Sequence, residues 1–444
     1  TVDHDELLSD IHLSPVPAAA KQWLSSYLRG RSTFVEFRGA RSGTRKLKQG
    51  VPQGGVLSPA LFNLYMSSLP TPPEDIRVVS YADDITIIAT GKNPATLCGK
   101  INIYLAHLHD WLKGRNLILS VEKSTASIFT NWTKEVDRQL NIQVAGHSLP
   151  TTKTAKILGV TFDPLLTFAR HVSSIGNKVS QRNKILKALA GTAWGCTKEV
   201  LLNTYKAICR SVLNYAAAAW SPELSDSRWQ DLQVKQNNAL RLATGTHKMS
   251  PVPHLHHEAR ILPVKEHNLM LAEQFFLGAH LPSRPDHHTT APPPARSRSI
   301  KATLQSRFGA DLAALVPATQ GAMTNEDYRA GLRTIHRRAA QAAVTAYVPP
   351  VWQAGISTTA APRISREESR LRCRQTRSTL AQLRSGYSVS LRSYQSRLDP
   401  TIQDVCPDCG KPGHTTYHLF TCRPTNLTTA ALWDEPIAVA EFLG

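Results

Sequence analysis

Ile76-Arg-Val-Val-Ser-Tyr-Ala-Asp-Asp-Ile-Thr-Ile-Ile-Ala89 decides how the rest of the chain is read. Two β-prone runs, residues 76–80 and 85–89, flank Tyr81-Ala82-Asp83-Asp84. The pattern predicts a β-hairpin with residues 82–84 as its tight turn. Two carboxylates held at a rigid tip can share a divalent cation, and hard oxygen ligands suit Mg²⁺. Aspartate is also an ordinary turn residue, so the pair gains weight only from its surroundings.

About 25 residues upstream lies Gln49-Gly-Val-Pro-Gln53-Gly54-Gly55-Val-Leu-Ser58-Pro59. Its glycines let the backbone approach a nucleotide closely, and Pro52 stiffens the turn. Ser58 is expected to cap a helix that has Pro59 at its first position and runs to about residue 69. Pro70, Pro72 and Pro73 stop it. Further upstream, residues 16–28 carry helical apolar spacing up to Gly30. Residues 33–37 and 44–47 read as strands of a hairpin. Downstream, residues 94–113 form an amphipathic helix with Leu97, Ile101, Tyr104, Leu105, Leu108 and Leu112 on one face. Strands are expected at 126–129, 141–144 and 156–162.

After Pro164 helical periodicity dominates over residues 168–281, the mark of a second, all-helical domain. A Pro/Arg-rich linker, an Arg-heavy stretch and a cysteine cluster follow. The 444 residues are 41% hydrophobic, which excludes a wholly disordered chain. Lys and Arg number 52 against 33 Asp and Glu, a net +19 that calls for a polyanionic partner, nucleic acid before membrane surface. No run reaches the ~18 apolar residues of a membrane helix, so no span is expected. The start is polar and acidic, unlike a signal peptide. It lacks an initiator Met, so the chain is read as a fragment. Cys98, Cys196, Cys209 and Cys373 stand singly; Cys406, Cys409 and Cys422 cluster. That usage fits an intracellular chain with one metal candidate, not a secreted disulfide framework.

The glycine-rich loop, its helix and the Asp hairpin together resemble the palm of reverse transcriptases. Residues 51–59 with Leu61-Phe62-Asn63-Leu64-Tyr65 are similar to the non-LTR (LINE-type) retrotransposon enzymes. Residues 111–125 resemble the helix–strand palm motif that follows the Asp hairpin, and Leu158-Gly159-Val160 resembles the primer-grip hairpin. Gly55 stands where many LINE-type enzymes have Ser and group II intron enzymes often have Gly. The resemblance implies RNA-directed DNA synthesis by target-primed reverse transcription. RNA template, DNA primer or target and dNTP would be the partners, with no membrane. Asp83 and Asp84 would be catalytic, holding Mg²⁺ in a two-metal site. Gln53 and Gly54 would line the nucleotide or template pocket, Lys123 would face the triphosphate, and residues 158–160 would position the primer end. The family's first catalytic Asp is expected a few residues before Thr1. The isolated chain, with two carboxylates of three, is therefore expected to be inactive or nearly so. A non-catalytic nucleic-acid-binding remnant and a group II intron-type maturase are the other readings. An intracellular place, in nucleus and cytoplasm, is expected.

Near the C-terminus, Cys406, Cys409, His418 and Cys422 have the C-x2-C-x8-H-x3-C spacing of a zinc site. An alternative ligand is His414, but the retroviral knuckle it resembles needs a Cys where Leu419 stands. The LINE-type ending His-Leu-Phe-x-Cys matches His418-Leu419-Phe420-Thr421-Cys422. The metal would be structural, because so short a loop cannot bury a core. Arg384, Arg392 and Arg397, interleaved with Tyr387 and Tyr394, are expected to track phosphates and stack on bases. His254, His256, His257, His287 and His288 are expected on the surface or in loops. Trp194, Trp220 and Trp229 are expected in the helical core, and Cys98, Cys196 and Cys209 as buried thiols. The fold class is α+β. A partial palm is expected at 1–165, a helical thumb at 166–282 and a linker at 283–300. A basic helical region at 301–400 and the zinc-binding cluster at 401–425 complete the chain.

Overall fold

A computed structural model describes residues 2–191, 194–283, 300–315, 323–345 and 363–444. The expected linker, apart from its two end residues, and His287 and His288 lie outside the described residues. The chain divides into two compact units, one of residues 1–156 and 163–165, the other of 157–162 and 166–444.

The first unit opens with α1 (His4–Leu13) and α2 (Ala18–Leu28). Asp3 caps α1, its Oδ1 accepting from the backbone N–H of Asp5 at 2.9 Å and of Glu6 at 3.3 Å. Four short strands follow: β1 (Ser32–Thr33), β2 (Glu36–Phe37), β3 (Ala40–Arg41) and β4 (Arg45–Lys46). β1 pairs with β4 and β2 with β3, so the segment is one narrow hairpin. Helix α3 (Ser58–Met66) starts at the expected place, but Leu57 is its N-cap. Ser58 does not cap it. Its hydroxyl turns back and donates to the Pro52 carbonyl, tying the glycine-rich loop to the helix start. Leu7, Leu8 and Ile11 of α1, with Leu28, pack on Leu61, Tyr65 and Met66 of α3.

Next come β5 (Ile76–Tyr81), β6 (Asp84–Ala89), α4 (Pro94–Gly114), β7 (Gln143–Val144) and β8 (His147–Ser148). The apolar face of α4 (Cys98, Tyr104, Leu105, Leu108, Leu112) covers Ile76, Ile142 and Val144. Two strand expectations need correction. Residues 126–129 form no strand: only Ala126 bridges, to Thr151. Residues 156–162 are not one strand but a hairpin, β9 (Ala155–Ile157) and β10 (Val160–Phe162), turning at Leu158 (φ 45°) and Gly159 (φ 84°). Left-handed backbone at two successive residues cannot continue a strand. The result is a mixed fold of helices and small sheets; among the described residues every sheet is two-stranded.

The second unit is helical. It contains α5 (Ala169–Leu189), α6 (Lys198–Tyr205), a π turn at Lys206–Arg210, α7 (Ser211–Asn214), α8 (Ala217–Trp220), α9 (Asp226–Thr244), α10 (Val252–Ala259) and α11 (Val264–Gly278). Val172, Ile175 and Val179 of α5, at helical spacing, meet Leu232, Ala239 and Leu240 of α9 in its main core. Helices α12 (Ile300–Leu315) and α13 (Asn325–Thr345) pack on α11 through Leu304, Phe308 and Ile335. The C-terminal part holds a short 3-10 turn (Arg366–Arg370), α14 (Arg374–Ser385), α15 (Arg392–Leu398), α16 (Thr416–Cys422), α17 (Ala431–Asp434) and α18 (Pro436–Leu443). Leu380 and Leu383 of α14, Leu419 and Phe420 of α16, and Trp433 and Val439 share one core.

Trp220 and Trp229 are buried as expected, but Trp194 is 76% exposed, because it lies in the break between α5 and α6 rather than on a helix face. Cys98 and Cys209 are buried; Cys196 is half-buried. The histidine expectation is overturned for two residues. His254 and His256 sit inside α10, where a neutral ring satisfies its nitrogens locally. His254 Nε2 lies 3.0 Å from the Ala381 carbonyl, and His256 Nδ1 lies 2.8 Å from that of Ile261.

An ion cluster ties the C-terminal part to the helices before it. The Arg384 side chain is 0% exposed. Its Nη1 lies 3.0 Å from Glu258 Oε1, its Nη2 2.5 Å from Glu368 Oε2, and its Nε donates to the Leu432 carbonyl at 2.8 Å. Lys198 Nζ reaches both glutamates, at 2.5 and 3.1 Å. Arg377 bridges Glu199 and, at 3.7 Å, Glu368. Burial pushes the Glu258 carboxyl up, but Lys198 and Arg384 overcome it and hold the group well below the usual carboxylate range.

Arg384→Met is expected to destabilise the protein by roughly 3–5 kcal/mol, because it leaves one buried negative charge in excess around Glu258 and Glu368, which Lys198 and Arg377 still contact. Denaturant titration checks this; a midpoint equal to wild type would contradict it. Burial, with Arg210 adding to it at His267, lowers the pKa of His254 and of His267 to about 4. The unfolded chain therefore binds more protons than the folded one between pH ~6.5 and ~4. Stability is present at pH 7 and falls as pH drops through that window, by up to ~1.4 kcal/mol per pH unit for each ring. Thermal melts from pH 7 to 5 should show Tm declining, with a smaller decline in a His254→Gln, His267→Gln variant.

Candidate functional site

The register of β5 and β6 runs from Ile76↔Ala89 to Tyr81↔Asp84, leaving Ala82 and Asp83 as a two-residue turn. Ala82 takes a left-handed φ of 51°, the conformation a tight hairpin turn demands. Asp83 sits in the turn and Asp84 on the first residue of the returning strand; both are exposed. Among the described residues neither carboxylate has a hydrogen-bond or ion-pair partner. Adjacent, unneutralised carboxylates at a fixed tip are a donor set for a hard divalent cation. Ile85, the next residue, packs into the core formed by α1 and α3, and Val51 of the glycine-rich loop packs into the same core. The hairpin and the loop are thus anchored to one body.

The loop itself is shaped by its glycines. Gly50 and Gly54 have φ of 88° and 82°. A Cβ at Gly55 would come within 3.2 Å of the Pro52 carbonyl and 2.8 Å of Ser58 Oγ. Gln53 and Gly54 are exposed. Gly50 is held to the chain start, its N–H donating to the Val2 carbonyl at 2.7 Å and its carbonyl lying 2.8 Å from His4 Nε2. Tyr65, fully buried on α3, donates to the Arg115 carbonyl, and Arg115 grips Asp10 of α1 with both Nη atoms. Sequence reading missed this brace: Asp10 and Arg115 stand 105 positions apart with no pattern joining them. Lys123 ends a 3-10 turn (Val121–Lys123) and is exposed; among the described residues no hydrogen bond or ion pair joins it to Asp83 or Asp84. In the second unit, the Leu158 carbonyl accepts from Tyr215 Oη at 2.8 Å, and the Tyr215 ring closes over Gly159.

At the C-terminus, the ligand atoms of Cys406, Cys409, His418 and Cys422 all lie within 4.8 Å of one another. Cys406 and Cys409 come from a tight turn closed by the Gly410 N–H on the Cys406 carbonyl at 3.0 Å, with Gly410 at φ 72°. His418 and Cys422 lie one helical turn apart on α16, capped by Thr415. Cys406 Sγ and Cys422 Sγ are 3.8 Å apart, and Cys409 Sγ lies 3.2 Å from His418 Nε2. Zinc–sulfur bonds of ~2.3 Å at a tetrahedral centre put two sulfurs ~3.8 Å apart, so the thiols are spaced for zinc. Burial raises the Cys406 thiol, but hydrogen bonds from the Cys409 and Asp408 backbone more than offset it and bring its pKa down to about 7. Hydrogen bonding to Cys409, with burial, pushes the neighbouring Cys422 thiol up to about 12, so within this set the proton rests on Cys422 rather than Cys406. His414 stands outside the group: its Nδ1 accepts from the Arg392 N–H at 3.1 Å. The cluster is not a free-standing knuckle either, since Leu419 and Phe420 of α16 belong to the C-terminal core.

The Arg-rich stretch differs from expectation. Arg374, Arg377 and Arg384 point inward, Arg374 donating to the carbonyls of Cys196, Leu242 and Ala243. Tyr394 is buried against His247. These groups are committed to the protein and cannot track phosphates. Arg392 and Arg397 remain exposed.

Freshly purified protein is expected to carry one zinc per chain, lost in His418→Ala and kept in His414→Ala; metal analysis of the three proteins decides it. Zinc retained by His418→Ala would overturn the ligand set.

Residues 1–162 match the reverse transcriptase (RNA-dependent DNA polymerase) family model. The chain is 26% identical over 233 residues to the "RNA-directed DNA polymerase from mobile element jockey" of Drosophila melanogaster, covering 50% of this chain and 25% of that protein. It is 29% identical over 249 residues to the "Probable RNA-directed DNA polymerase from transposon BS" of the same fly, covering 54% and 27%. To a Nasonia vitripennis "Retrovirus-related Pol polyprotein from type-1 retrotransposable element R1" it is 26% identical over 201 residues, 44% of this chain and 58% of that protein. The chain thus spans about a quarter of the length of the jockey and BS proteins. Residues 1–162 are a reverse transcriptase domain, and the relatives this chain resembles are RNA-directed DNA polymerases of non-LTR retrotransposons.

Proposed function

We propose that this chain is the palm-and-thumb part of a polymerase that copies RNA into DNA by extending a nicked DNA 3′ end on the element's own RNA. The observation that carries the proposal is the unpartnered Asp83–Asp84 pair at the tip of a hairpin that shares a core with the glycine-rich loop, within the segment that matches the family. The first unit would serve as palm and helices α5 to α11 as thumb. Asp83 and Asp84 would hold Mg²⁺, which supplies the positive charge that acidifies a 3′-hydroxyl and stabilises departing pyrophosphate. Gln53 and Gly54 offer an exposed backbone edge to the nucleotide or template. Lys123 would meet the triphosphate. The 158–160 turn, stiffened by Tyr215, would seat the primer end. Arg170, Lys178 and Arg228 line an open hollow on α5 and α9 with Ser173, Ser174 and Asn177, side chains suited to phosphate contacts. Zinc would be structural. RNA template, DNA primer and dNTP are the partners, and nucleus and cytoplasm the places of action. No helix of the described residues is long and apolar enough to cross a membrane.

The test is RNA-templated primer extension in Mg²⁺, on this chain and on the chain extended at its N-terminus by an aspartate-bearing palm strand from a related polymerase. Incorporation by the extended protein should fall by roughly three orders of magnitude or more in Asp83→Asn. An extended protein that binds template and primer yet incorporates nothing would favour the non-catalytic reading.

A further inference from the structure

The hairpin of β1 to β4 is unlike the rest of the first unit. Every residue from 32 to 48 is exposed. A two-stranded hairpin open on both faces has little of its own to hold it. This one nevertheless displays Phe34 at 40% and Phe37 at 69% exposure, with Val35 beside them at 69%. Interleaved with them are Arg38, Arg41 and Arg45, then Lys46 and Lys48, against the single carboxylate of Glu36. Among the described residues none of these cations has an ion-pair partner. Two lie over the exposed rings instead: the Arg41 guanidinium is 3.3 Å from the centroid of Phe34, and that of Arg38 is 5.3 Å from Phe37. The pattern continues into α2, where the exposed Trp23 ring stacks on Tyr27 at 5.3 Å and Arg31 covers Tyr27 at 5.1 Å.

Exposed aromatic rings interleaved with cations that have no carboxylate partner suit a ligand with stackable rings joined by anions, which can displace the guanidinium groups from the ring faces. A lipid surface would use the cations but leave stacking unused. A DNA duplex would use the cations but keeps its bases stacked on each other. A single strand uses both. We infer that the 31–48 hairpin, with Trp23 and Tyr27, is a binding surface for single-stranded RNA. The choice of RNA over DNA rests on the proposed function, in which RNA is the long unpaired strand and DNA a nicked duplex. Among the described residues no sheet pairing joins this surface to the β5–β6 hairpin that carries Asp83 and Asp84. The surface would hold the strand by backbone charge and base stacking, with no demand on sequence.

The experiment is fluorescence anisotropy of a labelled 20-nucleotide oligouridine with this chain, across a salt series, without Mg²⁺ or nucleotide. Polymerase chemistry plays no part in that readout, so it stands whether or not primer extension succeeds. Arg38→Glu with Arg41→Glu should weaken binding roughly tenfold or more and flatten the log–log salt slope by at least ~1.4, two single-strand phosphate contacts. Phe34→Ala with Phe37→Ala should weaken it by roughly fivefold or more while leaving the slope unchanged. Glu36→Gln should tighten binding and steepen the slope, a gain that a misfolded protein cannot produce. Wild-type affinity in all three variants would overturn the inference. So would hairpin-dependent binding to phosphatidylserine vesicles with RNA binding intact. Hairpin-dependent binding stronger for oligodeoxythymidine than for oligouridine would overturn the assignment to RNA.

Discussion

The Arg384 guanidinium, with no exposed side-chain surface, is the interaction on which the C-terminal half of the second unit depends. It holds Glu258 of α10, Glu368 of the 3-10 turn and the Leu432 carbonyl beside α17, while Lys198 of α6 closes the cluster. Three segments meet on one planar cation whose fixed fork of donors fits that geometry, and α6 joins through Lys198 on the two glutamates. Such clusters add little net stability over an apolar core of equal volume. Their effect here is on register: a slip of α14 would take Arg384 off Glu258, Glu368 and the Leu432 carbonyl together.

That seating carries the metal candidate with it. Leu419 and Phe420 of α16 join the core built on Leu380 and Leu383 of α14, so His418 and Cys422 are presented by a docked helix. The Cys406–Cys409 turn then has only to reach them. Core packing therefore places half of the cluster independently of any metal, in contrast to small zinc modules that fold on the metal alone. Part of the large positive charge lies inside, on glutamates and carbonyls, and part is displayed elsewhere, as on the exposed hairpin of residues 32–48.

In the first unit the governing constraint is the opposite one. Asp83 and Asp84 are left without partners at a turn whose register is fixed over six pairs. Like charges side by side repel, and an exposed hairpin tolerates this because water screens them. Rigidity at the tip and the absence of a competing cation make the pair receptive to a metal. The hairpin of residues 31–48 follows the same logic with the sign reversed.

Local periodicity sufficed for much of this. The alternation of 76–80 and 85–89 foretold the hairpin and its Asp tip, the apolar spacing foretold α4 and the run of helices after Pro164, and ligand spacing singled out the four residues of the Cys/His group. These are short-range signals, set within one or two turns of chain. What local pattern could not reach were choices made by partners far away in sequence. Whether Arg384 faces water or Glu258, whether His254 lies on a surface or under Ala381, and whether Ser58 caps its helix or turns back to Pro52 depend on what tertiary packing brings alongside. A charged or polar side chain is written the same way in sequence whether solvated or buried. Only the neighbours supplied by the fold decide which costs less.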